Sequence, residues 1–229
     1  MIQQGAARNR SPRRACIGLL LTLAWVADPA PVAAQWRVEA WFGTAFNAGS
    51  PLTIHQADQP DIRMSANWST RPWTPTWYYA GRVAKWSGPT GFAFEFVHHK
   101  IYLDNPSPPD VARFQVTNGV NQLILERLWR TSGWEYGVGV GPVFAVPISE
   151  IRGQTYDRSG GTFGSKYEFG GGVLAGNLAR RLKLLPLTYG SLSVKATISY
   201  LNVNVAEGNA TTMNYALHFQ YGLSLQSKP

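Results

Sequence analysis

The sequence predicts an all-β chain: an eight-stranded antiparallel transmembrane β-barrel of the outer-membrane kind. Three observations lead there. Only 15% of the 229 residues are charged, while aromatics reach 13% and glycines number 23; soluble globular domains carry about 25% charged residues. Beyond the N-terminal segment, no apolar run approaches the ~20 residues that a membrane-spanning helix needs. Several stretches alternate strictly between apolar and polar or small residues, and they do so for longer than the roughly five or six residues of a soluble strand. An apolar fraction of 45% excludes a disordered chain.

The first 34 residues stand apart from this pattern. Arg8, Arg10, Arg13 and Arg14 precede a short apolar stretch centred on Gly18-Leu19-Leu20-Leu21, and small residues follow up to Ala33-Ala34. A basic start, a short apolar middle and a small-residue end describe a secretory signal, expected to be cleaved after Ala34. The apolar stretch is too short for a membrane anchor. The single cysteine, Cys16, lies in this segment, so residues 35–229 have no disulfide framework. Those residues carry 17 Lys and Arg against 12 Asp and Glu, a net charge of +5. No basic run exceeds Arg180-Arg181-Leu182-Lys183, which argues against a nucleic-acid partner. A mild positive balance suits an anionic membrane surface.

Eight strands follow in order. Trp36, Val38, Ala40 and Phe42 alternate with Arg37, Glu39, Trp41 and Gly43. A second strand covers 75–86 and includes Arg82. Phe92, Phe94 and Phe96 alternate with Ala93, Glu95 and Val97. The fourth, 113–130, is less regular. Trp134, Tyr136, Val138 and Val140 alternate with Glu135, Gly137, Gly139 and Gly141. The sixth spans 166–179. Leu192, Val194, Ala196, Ile198 and Tyr200 alternate with polar and small residues. The eighth, 212–226, is the clearest, with Met213, Tyr215, Leu217, Phe219, Tyr221, Leu223 and Leu225 on one face. Apolar-out and polar-in alternation of this length is the transmembrane barrel pattern.

The connections sort by length. Residues 87–90, 131–133 and 184–187 are tight, whereas 48–74, 103–112 and 148–165 are long; 207–210 is a short exception. The long ones are expected outside the cell, with both termini on the periplasmic side. The first long segment holds its own expected hairpin, from 52–55 and 63–66. An eight-stranded interior is just wide enough for side chains. Arg82, Glu95, Glu126, Glu135, Glu168 and Lys195 are read as facing inward and pairing there. A filled lumen argues against a general pore, and places function on the loops or the outer wall.

On the third strand the outward series Phe92, Phe94, Phe96 continues as His98, Lys100, Tyr102. The change comes where the strand should leave the hydrocarbon. On the neighbouring strand Thr117, Gly119 and Asn121 fall on the same wall. His98 can move a proton near neutral pH, and Lys100 can hold a phosphate. At that height the outer leaflet presents lipopolysaccharide, a phosphorylated glucosamine lipid. Lys100 and Tyr102 also fit plain interface anchors. His99 turns to the opposite face, so no metal site is expected of the pair. Gly137-Val138-Gly139-Val140-Gly141 is no phosphate loop, since no helix follows it.

The stretch Gly91 to Tyr102, with His98-x-Lys100-x-Tyr102, resembles that of lipid A oxidase-like outer-membrane proteins. So does Val116-Thr117-Asn118-Gly119-Val120-Asn121, and Tyr78-Tyr79 with Arg82 and the Gly-rich Tyr136–Pro147 also fit. The likeness covers residues 75–150. The chain departs from the family at Gln122 and Ile124, and ends in Gln226-Ser227-Lys228-Pro229 rather than an aromatic. The resemblance implies oxidation of the proximal glucosamine of lipid A with molecular oxygen as oxidant. It implies His98, Lys100 and Asn121 as catalytic, and Lys100, Tyr102, Thr117 and Asn118 as substrate-binding. Glu95 and Arg82 are expected to support the site from inside. The plan also resembles lipid A deacylases, but Lys100 stands where their serine would be, which disfavours ester hydrolysis. Two readings stay open: a lipid A-modifying enzyme, and a monomeric barrel that anchors or binds through its loops without catalysis. A groove open to the membrane beside His98 would favour the first.

Overall fold

The structure, a computed structural model, describes residues 34–160 and 166–228. Residues 1–33, all but the last of the expected signal segment 1–34, loop residues 161–165 and residue 229 lie outside the described residues. Twelve strands form one antiparallel system: β1 (Gln35–Asn47), β2 (Ser50–Gln56), β3 (Ile62–Ala66), β4 (Trp68–Ser69), β5 (Tyr79–Ser87), β6 (Thr90–Leu103), β7 (Val111–Thr131), β8 (Trp134–Ile151), β9 (Gln154–Asp157), β10 (Glu168–Leu185), β11 (Thr188–Val205) and β12 (Gly208–Gln226). Eight of them close a ring, in the order β1-β5-β6-β7-β8-β10-β11-β12, and β12 returns to pair with β1. Closure leaves the ring itself no free edge, as a barrel in lipid requires.

The other four strands extend the wall at the long-loop end. β2 and β3 are the expected hairpin, with Leu52 opposite Met64 and Thr53 opposite Arg63, and β2 adds to β12. β9 folds back on β8, and β4 lies on β6. The opposite end has two-residue turns, as at Ser132-Gly133, where both residues have φ > 0 (48° and 78°), as tight hairpins demand. β1 starts and β12 ends at this short-turn end, where Gln35 pairs with Trp86 and Arg37 with Gln226.

Alternation sorts the faces as expected. Phe92, Phe94, Leu125, Val138, Val140, Leu192, Leu217 and Phe219 are exposed on the outside, a continuous apolar band of the kind that marks a membrane face. Inside, near the short-turn end, four acids and four bases interlock. Arg37 donates both Nη groups to Glu135, at 2.7 and 2.6 Å. Arg82 and Arg181 bond to Glu39, and Arg82 reaches Glu126 at 3.1 Å. Lys195 joins Glu95 and Glu126, at 2.9 and 2.7 Å. Trp41 and Trp86 cover the Arg82 and Arg37 guanidiniums. Above this lattice Tyr78, His99 and His218 pack together, with Tyr78 Oη 3.0 Å from His218 Nδ1. Higher still the interior turns apolar, with Leu52, Ile54, Ile101, Phe114, Leu201 and Val203 buried.

Three sequence expectations need correcting. β5 begins at Tyr79, not at 75, because Pro72 and Pro75 cannot donate to a ladder and residues 70–78 leave the sheet. β10 runs six residues further than expected, to Leu185, because its alternation hides in the basic stretch Arg180–Lys183. Glu168 is not in the inner lattice. It sits at the long-loop rim, where it accepts from the Asn204 backbone at 2.8 Å.

Candidate outer-wall site

The pair His98 and Asn121 is built by the register of β6 against β7, where the two residues stand directly opposite. Just beyond, the ladder breaks: on β6 between His99 and Ile101, and on β7 between Val116 and Val120. Gly119 sits in that break with φ of +115°, a conformation reserved for glycine. A Cβ there would fall 2.3 Å from Asn121 Oδ1. The Thr117-Asn118-Gly119 bulge therefore makes room for the Asn121 amide and turns it toward His98.

Asn121 Nδ2 donates to the Asn118 carbonyl at 3.4 Å, which points Oδ1 at His98 Nδ1, 2.8 Å away. This assigns the proton to Nδ1 and leaves the lone pair on Nε2. The Thr76 hydroxyl lies 3.1 Å from that Nε2 and 3.3 Å from the Thr117 carbonyl. Tyr79 stacks flat on the imidazole, 4.9 Å between centroids. Lys100 donates Nζ to the Thr74 carbonyl and hydroxyl, at 2.9 and 2.8 Å. The Tyr102 ring lies 5.9 Å from Lys100 Nζ and 4.3 Å below the Arg71 guanidinium.

The strand register thus joins His98 to Asn121, the bulge brings the backbone carbonyls of Thr117 and Asn118 to Thr76 and Asn121, and Lys100 and Tyr102 follow on the same strand as His98. The register does not join Glu95 and Arg82 to them. Both lie on the lumen side in the ion lattice, separated from His98 by the wall itself, because odd positions of β6 and even positions of β5 face inward. Asn121, Thr76 and Tyr79 position His98 instead. The wall is also not open here. His98 is 3% and Lys100 0% exposed, because the strap of residues 70–78 lies across them. Sequence reasoning missed that strap. Its signal was Arg71-Pro72-Trp73-Thr74-Pro75-Thr76, two prolines in a stretch otherwise read as loop and strand. Trp73 and Trp77 on the strap are exposed, at 62% and 58%, as interface aromatics are. Two surface cavities open elsewhere. One of about 460 Å³ lies on the outer wall between Ala40, Phe42, Leu182 and Leu192, and one of about 390 Å³ lies among the short turns.

A closed ring of eight long strands, apolar outside and filled inside, defines a transmembrane β-barrel of the outer-membrane class. A solved structure shares the fold. The outer membrane protein AlkL, solved in lipid bilayers, matches with a TM-score of 0.50 at 13% identity, over 100% of this chain and 98% of that one. OprG of Pseudomonas aeruginosa matches at 0.49 and 11%, over 86% and 97%. No protein-family model matches the chain, and no curated protein matches it in sequence.

Proposed function

We propose that the protein is a monomeric barrel of the outer membrane, exported by a cleaved signal, and that it acts on lipid A at its outer wall. In this reading the segments 48–74, 103–112 and 148–165 face outward. The observation that carries it is the His98–Asn121–Thr76 arrangement at the height where the outward face turns from Phe to His and Lys. Asn121 holds the imidazole so that Nε2 presents its lone pair toward the strap, where the Thr76 hydroxyl shares its one hydrogen between Nε2 at 3.1 Å and the Thr117 carbonyl at 3.3 Å. Displacing the strap would give Nε2 to a sugar hydroxyl of lipid A and free Lys100 for a phosphate. His98 would then take the hydroxyl proton as general base. Oxidising the anomeric carbon of a proximal glucosamine whose anomeric hydroxyl is free gives the lactone, which water opens to the acid, and releases two electrons and two protons. Molecular oxygen, the acceptor that the resemblance implies, would take them up as hydrogen peroxide.

A second reading has its own support. With the strap in place, His98 and Lys100 are spent on Thr76 and Thr74, which also describes an interface anchor on a barrel that binds through its loops. Mass spectrometry of lipid A from oxygenated cells with and without the gene separates the two. A mass change at the proximal glucosamine supports the enzyme; identical lipid A supports the binding barrel.

A further inference from the structure

Outside the lumen the charges are sorted by end. The short-turn end carries Lys85, Arg127, Arg130, Arg180, Lys183 and Lys228, and no acid among the described residues. Every other acid outside the lattice lies at the long-loop end, at 58–61, 104–110, 150–157, 168 and 207, mixed with bases. The lattice itself is neutral, so the positive excess of residues 35–229 sits on the short-turn rim. None of the six cations pairs with a carboxylate among the described residues, although the far end is laced with ion pairs such as Arg63 with Asp61.

The rim is also built at a fixed height. Lys85 Nζ lies 5.5 Å from the Trp36 ring, Arg127 4.5 Å from Phe92 and Arg180 5.2 Å from Trp134. All three rings are exposed on the outer wall, where aromatics mark the membrane–water boundary. Between the turns Gly88-Pro89 and Ser132-Gly133 a cleft of about 390 Å³ opens, lined by Arg130 and by the lattice acid Glu135, whose carboxylate is already held by Arg37 and Arg181. Arg130 Nε is held by the Gly88 carbonyl at 2.9 Å, and Arg180 Nη1 by the Ser132 carbonyl at 2.8 Å. Arg130 also gives Nη2 to Gln35 at 3.2 Å, which leaves Nη1 for the cleft, and Arg180 is held beside the cleft through its lining residue Ser132.

We propose that this rim binds anionic phospholipid headgroups of the leaflet that the short turns face, with the cleft between the two turns as the principal seat. Guanidiniums match phosphate oxygens in pairs. Six unpaired cations repel one another unless anions sit among them. Their position over boundary aromatics selects a partner that lies in the membrane plane rather than a soluble one. This inference does not depend on any activity at His98.

The test is native mass spectrometry of the purified full barrel, given equimolar phosphatidylglycerol and phosphatidylcholine in detergent. The wild-type protein should retain phosphatidylglycerol preferentially, and soluble glycerol phosphate should not compete. The triple variant Arg127→Gln, Arg130→Gln, Arg180→Gln should lose the preference, at about fivefold per cation removed. The control Arg63→Gln, Arg158→Gln, at the far end, should keep it. Should the triple variant not fold by heat-modifiable gel mobility, the single variants Arg127→Gln and Lys183→Gln each show the fivefold step. Equal retention of both lipids by the wild type, or an unchanged preference in folded rim variants, overturns the proposal. So does equal competition by glycerol phosphate, or binding to isolated peptidoglycan without lipid preference.

Discussion

Asn121 stands directly across the ladder from His98, and its Oδ1 lies 2.8 Å from His98 Nδ1. The contact exists because Gly119, two residues earlier, has no side chain to occupy the place of the Asn121 amide.

Gly119→Ala should therefore do two things. It strains the backbone at a φ of +115°, costing about 1–3 kcal/mol, and it displaces the Asn121 amide. Thermal unfolding in detergent reads the first. Nitrogen-15 NMR of His98 reads the second, since the wild-type ring should carry its proton on Nδ1 and the variant should lose that preference. A variant with wild-type stability and an unchanged tautomer would refute the role given to Gly119.

The lumen lattice makes a sharper stability prediction. Lys195→Met leaves Glu95 and Glu126 facing each other without the ammonium that joins them at 2.9 and 2.7 Å. Removing one member of a buried ion network costs about 3–5 kcal/mol. The companion Glu95→Gln in the same chain should recover part of the loss. Lys195→Met with unaltered heat-modifiable mobility would show that the lattice carries no stability.

On β12, Phe219 faces lipid and Asn214 faces the lumen, where it donates to Asn47 Oδ1 at 2.9 Å. Phe219→Arg should cost about 2–4 kcal/mol at midplane, whereas Asn214→Ser gives up one hydrogen bond worth about 0.5–1.5 kcal/mol. Urea unfolding of the inserted barrel ranks the two. Equal costs would contradict the register.

Much of this was legible from sequence, for a physical reason. In a closed barrel every residue of a spanning strand has one of two fates, so period two reads out the wall directly. The eight ring strands, the hairpin at 52–66 and the opposite faces of His98 and His99 all follow from it. Alternation also placed Asn121 beside His98. It could not place the strap, because residues 70–78 belong to no ladder and have no period. That strap decides whether the site is open. Alternation did put Arg82, Glu95, Glu126 and Lys195 in the lumen, where they pair as expected; it could not tell that this pairing, and Glu39, would claim Glu95 and Arg82 away from the wall site. The sorting of charge by end became visible only once the turns were assigned to their ends.

Topology follows from the same assignment. Trypsin added to intact cells should cut near the exposed Arg63 of the long-loop end and spare Lys183 at the short turn. Cleavage at Lys183 with Arg63 protected would invert the barrel, and the wall site with it.

The most direct test of the wall site compares lipid A from oxygenated cells expressing the wild type, His98→Ala and His99→Ala, by mass spectrometry, with folding of each barrel checked by gel mobility. The account predicts a modified lipid A with the wild type and with His99→Ala, and none with a folded His98→Ala. Modification that persists in a folded His98→Ala, or that the wild type never produces, would contradict it.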